Sequence, residues 1–370
     1  MLIKNALVYT NKFEFENKEV LVVDGKIAEI GNNLTADAEV IDAQGAYLIP
    51  GFINIHVHGA IGYDVMATTP EELEEISVFF MKDGVTSYLP TTVAAPYNET
   101  EAAVKCFAEY MKTPHEGAHV IGVNIEGPYL NMNFRGAHAP QYLAAPSSFS
   151  IDGIMDAADG QIKVITLAPE VEGAVEFVKE YKDKFKISLG HGGNDYEKCV
   201  AAFDAGATQV THLFNTMPPI HHRNKGLIHA AFEADVYAEL ICDNVHVDKS
   251  VVLMAIKMFG ADKICVITDG VHATGRKDGR YFFAGAPFTV VDGVAKNDEG
   301  NLVGGTSTML QCVKNLVEWG ISLEDAVRMA TANPADAIGI SASKGRIAEG
   351  MDADLVLLDK ELNVKKVWKK

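Results

Sequence analysis

The sequence predicts an α/β chain, a (β/α)8 TIM barrel with a second, small β-sandwich domain built from both termini. Three observations carry this. Across residues 51–340, short apolar runs alternate with amphipathic stretches of helical period. Residues 2–49 and 341–370 instead read as short strands separated by tight turns. Neither G-x-G-x-x-G nor G-x-x-x-x-G-K-[ST] follows a strand candidate, which disfavours an open nucleotide-binding sheet.

The first segment, residues 1–50, contains "LIKNALVY", "EVLVVDGKIAEIG" and "AEVIDAQGAYLIP", with Asp24-Gly25 as a hairpin turn. Strand candidates then recur at 51–58, 86–93, 120–126, 163–169, 186–191, 209–214, 238–243 and 264–269. Helical stretches such as "TPEELEEISVFFMKDG" and "NDYEKCVAAFDAG" separate them, as a parallel barrel requires. The section "YLNMNFRGAHAPQYLAAPSS" is too long and irregular for a simple connection, and a loop of that kind is expected to cover the active site. The closing segment, residues 341–370, carries "KGRIAEGMDADLVLLD" and "NVKKVWKK", strands expected to pair with the first segment and complete the small domain.

The bulk chemistry excludes several partners. A net charge of -18 over 370 residues repels nucleic acid and anionic membrane surfaces, so an anionic small substrate requires a local basic pocket. Cys106, Cys199, Cys242, Cys265 and Cys312 form no C-x-x-C pair and are odd in number, which suits reduced thiols in a cytoplasmic protein. No leader-like segment opens the chain and no apolar run has membrane-spanning length.

The chemistry concentrates at strand ends. In "INIHVHGAIGYD", His56 and His58 stand at i and i+2, on one face of an extended strand, where they can share a metal ion. The third candidate strand ends in Glu126, the fifth in His191, the sixth in His212 and the eighth in Asp269. Barrel enzymes place reacting groups at the C-terminal ends of strands. One such residue is an ordinary satisfied polar group; six in the same relative place point to a metal centre. Imidazoles and carboxylate without cysteine suit Zn(II), Fe(II), Mn(II) or Co(II). An ion with an open position lowers the pKa of a bound water toward about 7, and Asp269 then serves as general base and acid.

The runs "HVHGAIGYD", "GVNIEGPYLN", "RGAHAP", "LGHGG", "VTHLFNTMPPIHHRNKG", "ICDNVHVD", "VITDG" and "KGRIAEGMDADLVLLD" together resemble the N-acetylglucosamine-6-phosphate deacetylases of the amidohydrolase superfamily, over essentially the whole chain. The resemblance implies hydrolysis of the acetamide of N-acetylglucosamine 6-phosphate in amino-sugar catabolism. It implies Glu126, His191 and His212 as principal metal ligands, with one or two divalent ions per subunit, zinc foremost, and Asp269 as the acid/base. It also implies Ala137 and His138 at the acetamido group or sugar, and Asn215, Thr216, Arg223 and His246 around the sugar and its phosphate, with Leu302, Val303 and Gly304 completing the substrate site. A homodimer follows from the same resemblance, with a phosphate ligand crossing the interface. The competing expectations are the galactosamine epimer, a cyclic amide substrate, and a non-catalytic metal-binding barrel.

Overall fold

The computed structural model describes all 370 residues. Eight parallel strands form the barrel: β1 (Phe52–Val57), β2 (Val85–Pro90), β3 (Val123–Glu126), β4 (Ile162–Leu167), β5 (Lys186–Leu189), β6 (Gln209–Val210), β7 (Tyr237–Ile241) and β8 (Ile264–Ile267). Strands β3 to β8 pair in chain order, and β1 pairs with β2. The ring closes through two bridges, Thr91 with Asn124 between β2 and β3, and Val57 with Gly270 between β1 and β8. At the second seam the His58 amide donates to Gly270 O at 2.8 Å and the Asp269 amide to His56 O at 3.1 Å. The residues that carry the chemistry are therefore part of the closure.

Strands buried on both faces read as continuous apolar runs, and β1, β2, β3 and β8 are buried at every position. Ile53, Ile55, Leu89, Val164, Ile241 and Ile267 fill one end of the barrel with Ala335, Ala337 and Ile338. That end is closed by packing, and the polar groups gather at the other. The outer helices follow their amphipathic pattern. Helix α1 (Pro70–Lys82) starts at a Thr69/Glu72 capping box and buries Leu73, Ile76 and Phe80.

Both ends of the chain enter one seven-stranded sheet. Val364–Trp368, Leu355–Leu358, Tyr47–Pro50, Leu2–Tyr9, Phe15–Val23 and Lys26–Gly31 follow one another across it, and Val40–Asp42 pairs with Leu2–Tyr9. Ile3, Val8, Val20, Ile27, Leu48, Leu355 and Leu357 form a core separate from the barrel's. No helix is long and apolar enough to cross a membrane.

The structure also holds an element absent from the expectations. After β8, Gly279–Phe283, Ala286–Val291 and Val294–Asn297 form a three-stranded antiparallel sheet. Its inner side chains Phe283, Phe288 and Val290 pack on Val93, Val271 and Val303 at the barrel mouth. The irregular section 129–148 crosses the same mouth, where the Asn131 amide donates to His191 O at 3.0 Å.

Candidate active site

Every side chain of the centre leaves the end of a barrel strand, and three do so through unusual backbone. His191, His212 and Asp269 have φ of 50°, 27° and 48°, in the left-handed region that non-glycine residues rarely adopt. Such a bend ends the strand and swings the side chain into the mouth. Around Asp269 it demands room, which Gly304 and Gly305 provide: a Cβ on Gly304 would lie 2.7 Å from Asp269 O, and one on Gly305 2.3 Å from Thr268 O.

The imidazoles converge on Glu126. Its Oε1 lies 3.0 Å from His212 Nε2, 3.1 Å from His191 Nε2 and 3.4 Å from His56 Nε2, while Oε2 lies 3.3 Å from His58 Nε2 and 3.2 Å from His138 Nε2. Two triads share this carboxylate, His56–His58–Glu126 and Glu126–His191–His212, all fully buried. Asp269 Oδ1 stands 3.1 Å from His58 Nε2 and 3.6 Å from His56 Nε2.

Hydrogen bonds at the far ring nitrogens sort these histidines into two kinds. His56 faces Glu239 Oε2 at 3.0 Å, His58 faces Thr91 O at 3.0 Å and His191 faces Phe134 O at 2.9 Å, in each case through Nδ1. Carbonyls and carboxylates only accept, so Nδ1 carries the proton and Nε2 presents a lone pair. His138 is the reverse. Its Nδ1 accepts from the Ala94 amide at 3.1 Å, so its Nε2 carries the proton and donates into the site.

The charge balance asks for a cation. Burial pushes the Glu126 carboxyl up, but the facing imidazoles of His56 and His191 and the His138 hydrogen bond outweigh it and hold the group well below the usual range. Asp269 is likewise held low against its burial, by His58, His56 and His212. Burial disfavours a charged His58, yet Asp269 and Glu126 raise it to about 9. His56 is raised in the same way by Glu126 and Glu239. A divalent ion would satisfy the same carboxylates and leave the imidazoles neutral. Two features fit one: His191 Nε2 and His212 Nε2 only 3.0 Å apart, and a buried His56 Nε2 with no hydrogen-bond partner. The all-nitrogen and oxygen donor set admits zinc, iron, manganese or cobalt.

A cavity of about 260 Å³ opens over the centre, the scale of a small molecule. Ala137, His138, Asn215, Thr216, His246, Leu302 and Gly304 line it together with His58, Glu126, His191, His212 and Asp269. Val303 is buried and faces the adjoining cleft beside Arg135. Arg223 is exposed on the loop after β6 and does not line the cavity. His246 donates from Nδ1 to Asp243 Oδ2 at 2.8 Å and leaves its buried Nε2 unpartnered. Burial lowers His246, but the Asp243 hydrogen bond and charge raise it on balance, which favours an imidazolium at the cavity wall.

Sequence reasoning missed Glu239, Asp243, Phe283 and Asn301. Asp243 follows the end of β7 and obeys the same strand-end rule as the ligands. Glu239 sits mid-strand in "YAELI", where an acid among buried apolar residues was the available signal. Phe283 and Asn301 come with the three-stranded element, whose "VVDGVA" turn was also legible.

Comparison with known proteins agrees with this geometry. Residues 47–370 match the Amidohydrolase family. The chain is 33% identical to N-acetylgalactosamine-6-phosphate deacetylase of Escherichia coli O157:H7 over 95% of its own length and 93% of the relative's. It is 33% identical to N-acetylglucosamine-6-phosphate deacetylase of Lysinibacillus sphaericus, covering 98% and 94%. A Mycobacterium smegmatis N-acetyl-D-glucosamine-6-phosphate deacetylase variant, solved in complex with N-acetyl-D-glucosamine-6-phosphate, superimposes with a TM-score of 0.92 at 30% identity, over 100% of this chain and 97% of that one.

Proposed function

The chain belongs to the amidohydrolase family, and on that premise we propose that it deacetylates N-acetylglucosamine 6-phosphate to glucosamine 6-phosphate and acetate, in amino-sugar catabolism. The observation that carries this reading is one carboxylate, Glu126, shared by two imidazole pairs, with an N–H donor at His138 and an ionised Asp269 beside it. Glu126, His191 and His212 would hold one divalent ion, and His56, His58 and Glu126 a second, with zinc as the first candidate. Such ions supply Lewis acidity and a water that ionises near neutral pH.

The protein's own groups account for the rest of the reaction. His138 donates its Nε2–H to the acetamide oxygen, where negative charge develops as the carbonyl carbon becomes tetrahedral. Asp269 accepts the proton of the attacking water and returns it to the nitrogen as the C–N bond breaks, so acetate and a free amine leave. His246, backed by Asp243, directs a donor at the sugar or its phosphate. The mouth elements, section 129–148 and the three-stranded sheet, restrict water around the reacting carbonyl.

The galactosamine epimer is the second reading, favoured by the Escherichia coli O157:H7 relative. The epimers differ in one hydroxyl orientation. Acetate release from both 6-phosphates and from their unphosphorylated sugars tests the proposal. The phosphorylated glucosamine compound is expected to give the highest kcat/KM, and a higher value for the galactosamine compound reverses the assignment.

A homodimer is part of the same proposal. Ile220 and Met254, 47% and 61% exposed, join Phe214, Val251 and Met258 in an apolar groove beside the Arg223 loop. Apolar surface next to a free cation suits a second copy whose cavity receives Arg223. The five free cysteines suit a cytoplasmic location.

A further inference from the structure

Glu239 stands in the middle of β7, 1% exposed, with no lysine or arginine paired to it. A carboxylate so deeply buried has to be satisfied by hydrogen-bond donors. Both donors it finds belong to the metal centre. Its Oε2 accepts from His56 Nδ1–H at 3.0 Å and from the His212 amide at 3.2 Å, and its Oε1 has no partner. Glu239 therefore spends its contacts on the centre and none on the surrounding core.

The histidines with a fixed Nδ1 are not held alike. His58 and His191 rest on backbone carbonyls of Thr91 and Phe134, which are neutral. His56 alone among the ligands has a full negative charge behind its ring. A carboxylate in that position fixes the Nδ1–H tautomer, aims the Nε2 lone pair and makes the imidazole a stronger donor. Here that lone pair is the buried, unpartnered His56 Nε2.

We infer that Glu239 is a positioning residue that, acting through His56, sets how tightly the His56–His58–Glu126 half of the centre holds a divalent cation. The Glu126–His191–His212 half fills without that charge. The inference rests on the two-ion reading above. It makes His56 and Glu239 a functional pair contributed by β1 and β7, one delivering the ligand atom and the other its orientation and basicity.

The test is Co(II) binding to chelator-treated protein, followed by equilibrium dialysis with metal analysis and by the cobalt absorption spectrum. Wild type should take up two equivalents. Glu239→Gln keeps an acceptor and removes the charge, so one equivalent should bind unchanged and the other should weaken about 10- to 100-fold. Two unaltered equivalents in Glu239→Gln overturn the inference and leave the two-ion reading standing. A single equivalent in wild type overturns that reading and this inference with it. Loss of both equivalents in Glu239→Gln also overturns it, because the residue then supports the whole centre. His56→Asn/Glu239→Gln replaces the charged pair with a neutral one and answers the case in which the single variant does not fold. It should bind its remaining equivalent as His56→Asn does, and any further loss of affinity overturns the action through His56.

Discussion

Substituting His138 separates its two ring nitrogens, because each has one task. Nδ1 accepts from the Ala94 amide at 3.1 Å, and Nε2–H points to the substrate side, 3.2 Å from Glu126 Oε2. In His138→Asn the side-chain oxygen stands near the place of Nδ1, so Ala94 keeps its partner while nothing reaches the acetamide oxygen. Removing one donor to a developing oxyanion costs roughly 100- to 1,000-fold in kcat, about 2.7–4 kcal/mol. His138→Ala should lose the same kcat and, in addition, about 1–3 kcal/mol of stability from the unpaired Ala94 amide. Initial rates of acetate release give kcat and KM, thermal melts give stability, and elemental analysis gives metal content. The expected pattern is equal kcat losses in both variants, KM within a few-fold of wild type, full metal content, and a lower melting temperature for the alanine variant than for the asparagine variant. A kcat within about three-fold of wild type in His138→Asn would refute the donor assignment. Loss of metal in that variant would place His138 among the ligands.

Three further outcomes follow from the same geometry. Asp269→Asn should keep fold and metal and lose about 100- to 10,000-fold in kcat; turnover near wild type with metal retained would contradict its proton-transfer role. His246 is raised from the ordinary histidine value, against its burial, by the Asp243 hydrogen bond and charge, so its cation is complete at lower pH and is lost as pH rises through the raised value. The kcat/KM preference for phosphorylated over unphosphorylated sugar should therefore fall as pH rises through the raised value, and His246→Asn should flatten the profile; a preference that climbs with pH in wild type would oppose the assignment. Gly305→Ala places a Cβ 2.3 Å from the backbone oxygen of Thr268, next to Asp269. Strain of this kind typically costs about 1–3 kcal/mol, so melting temperature and kcat should fall together, and an unchanged melt would show that the segment moves freely.

Most of the barrel was legible because its strands are apolar on both faces and are followed by glycine or small polar residues. Their ends were read too long where the backbone turns to present a ligand. Strand β6 was expected over 209–214 but spans Gln209–Val210, because His212 at φ 27° cannot continue an extended strand. The third strand was expected unbroken from 120 to 126, and Gly122 at φ 142° separates His119–Val120 from Val123–Glu126. Strand-end chemistry named His56, His58, Glu126, His191, His212 and Asp269, which the structure brings together, because each sits beside a break in the apolar pattern. Glu239 escaped because no such break marks a residue inside a strand, and its meaning lies in His56, 183 positions away. The three-stranded element escaped because its residues, 279–297, follow the eighth barrel strand inside the barrel's own span, where the alternation of strand and helix predicts no separate sheet. Arg223 shows a different limit: its charge is legible, but the exposed loop that carries it lies off this chain's own cavity.

On the proposed reading, deacetylation by this chain depends on a metal held at the Glu126 centre. Acetate release from N-acetylglucosamine 6-phosphate, measured on chelator-stripped protein during stepwise return of Zn(II), tests it most directly. Negligible turnover is expected in the stripped protein, with recovery in proportion to bound metal and one free amine for each acetate. Undiminished release from metal-free protein, or none from fully loaded protein, would contradict it.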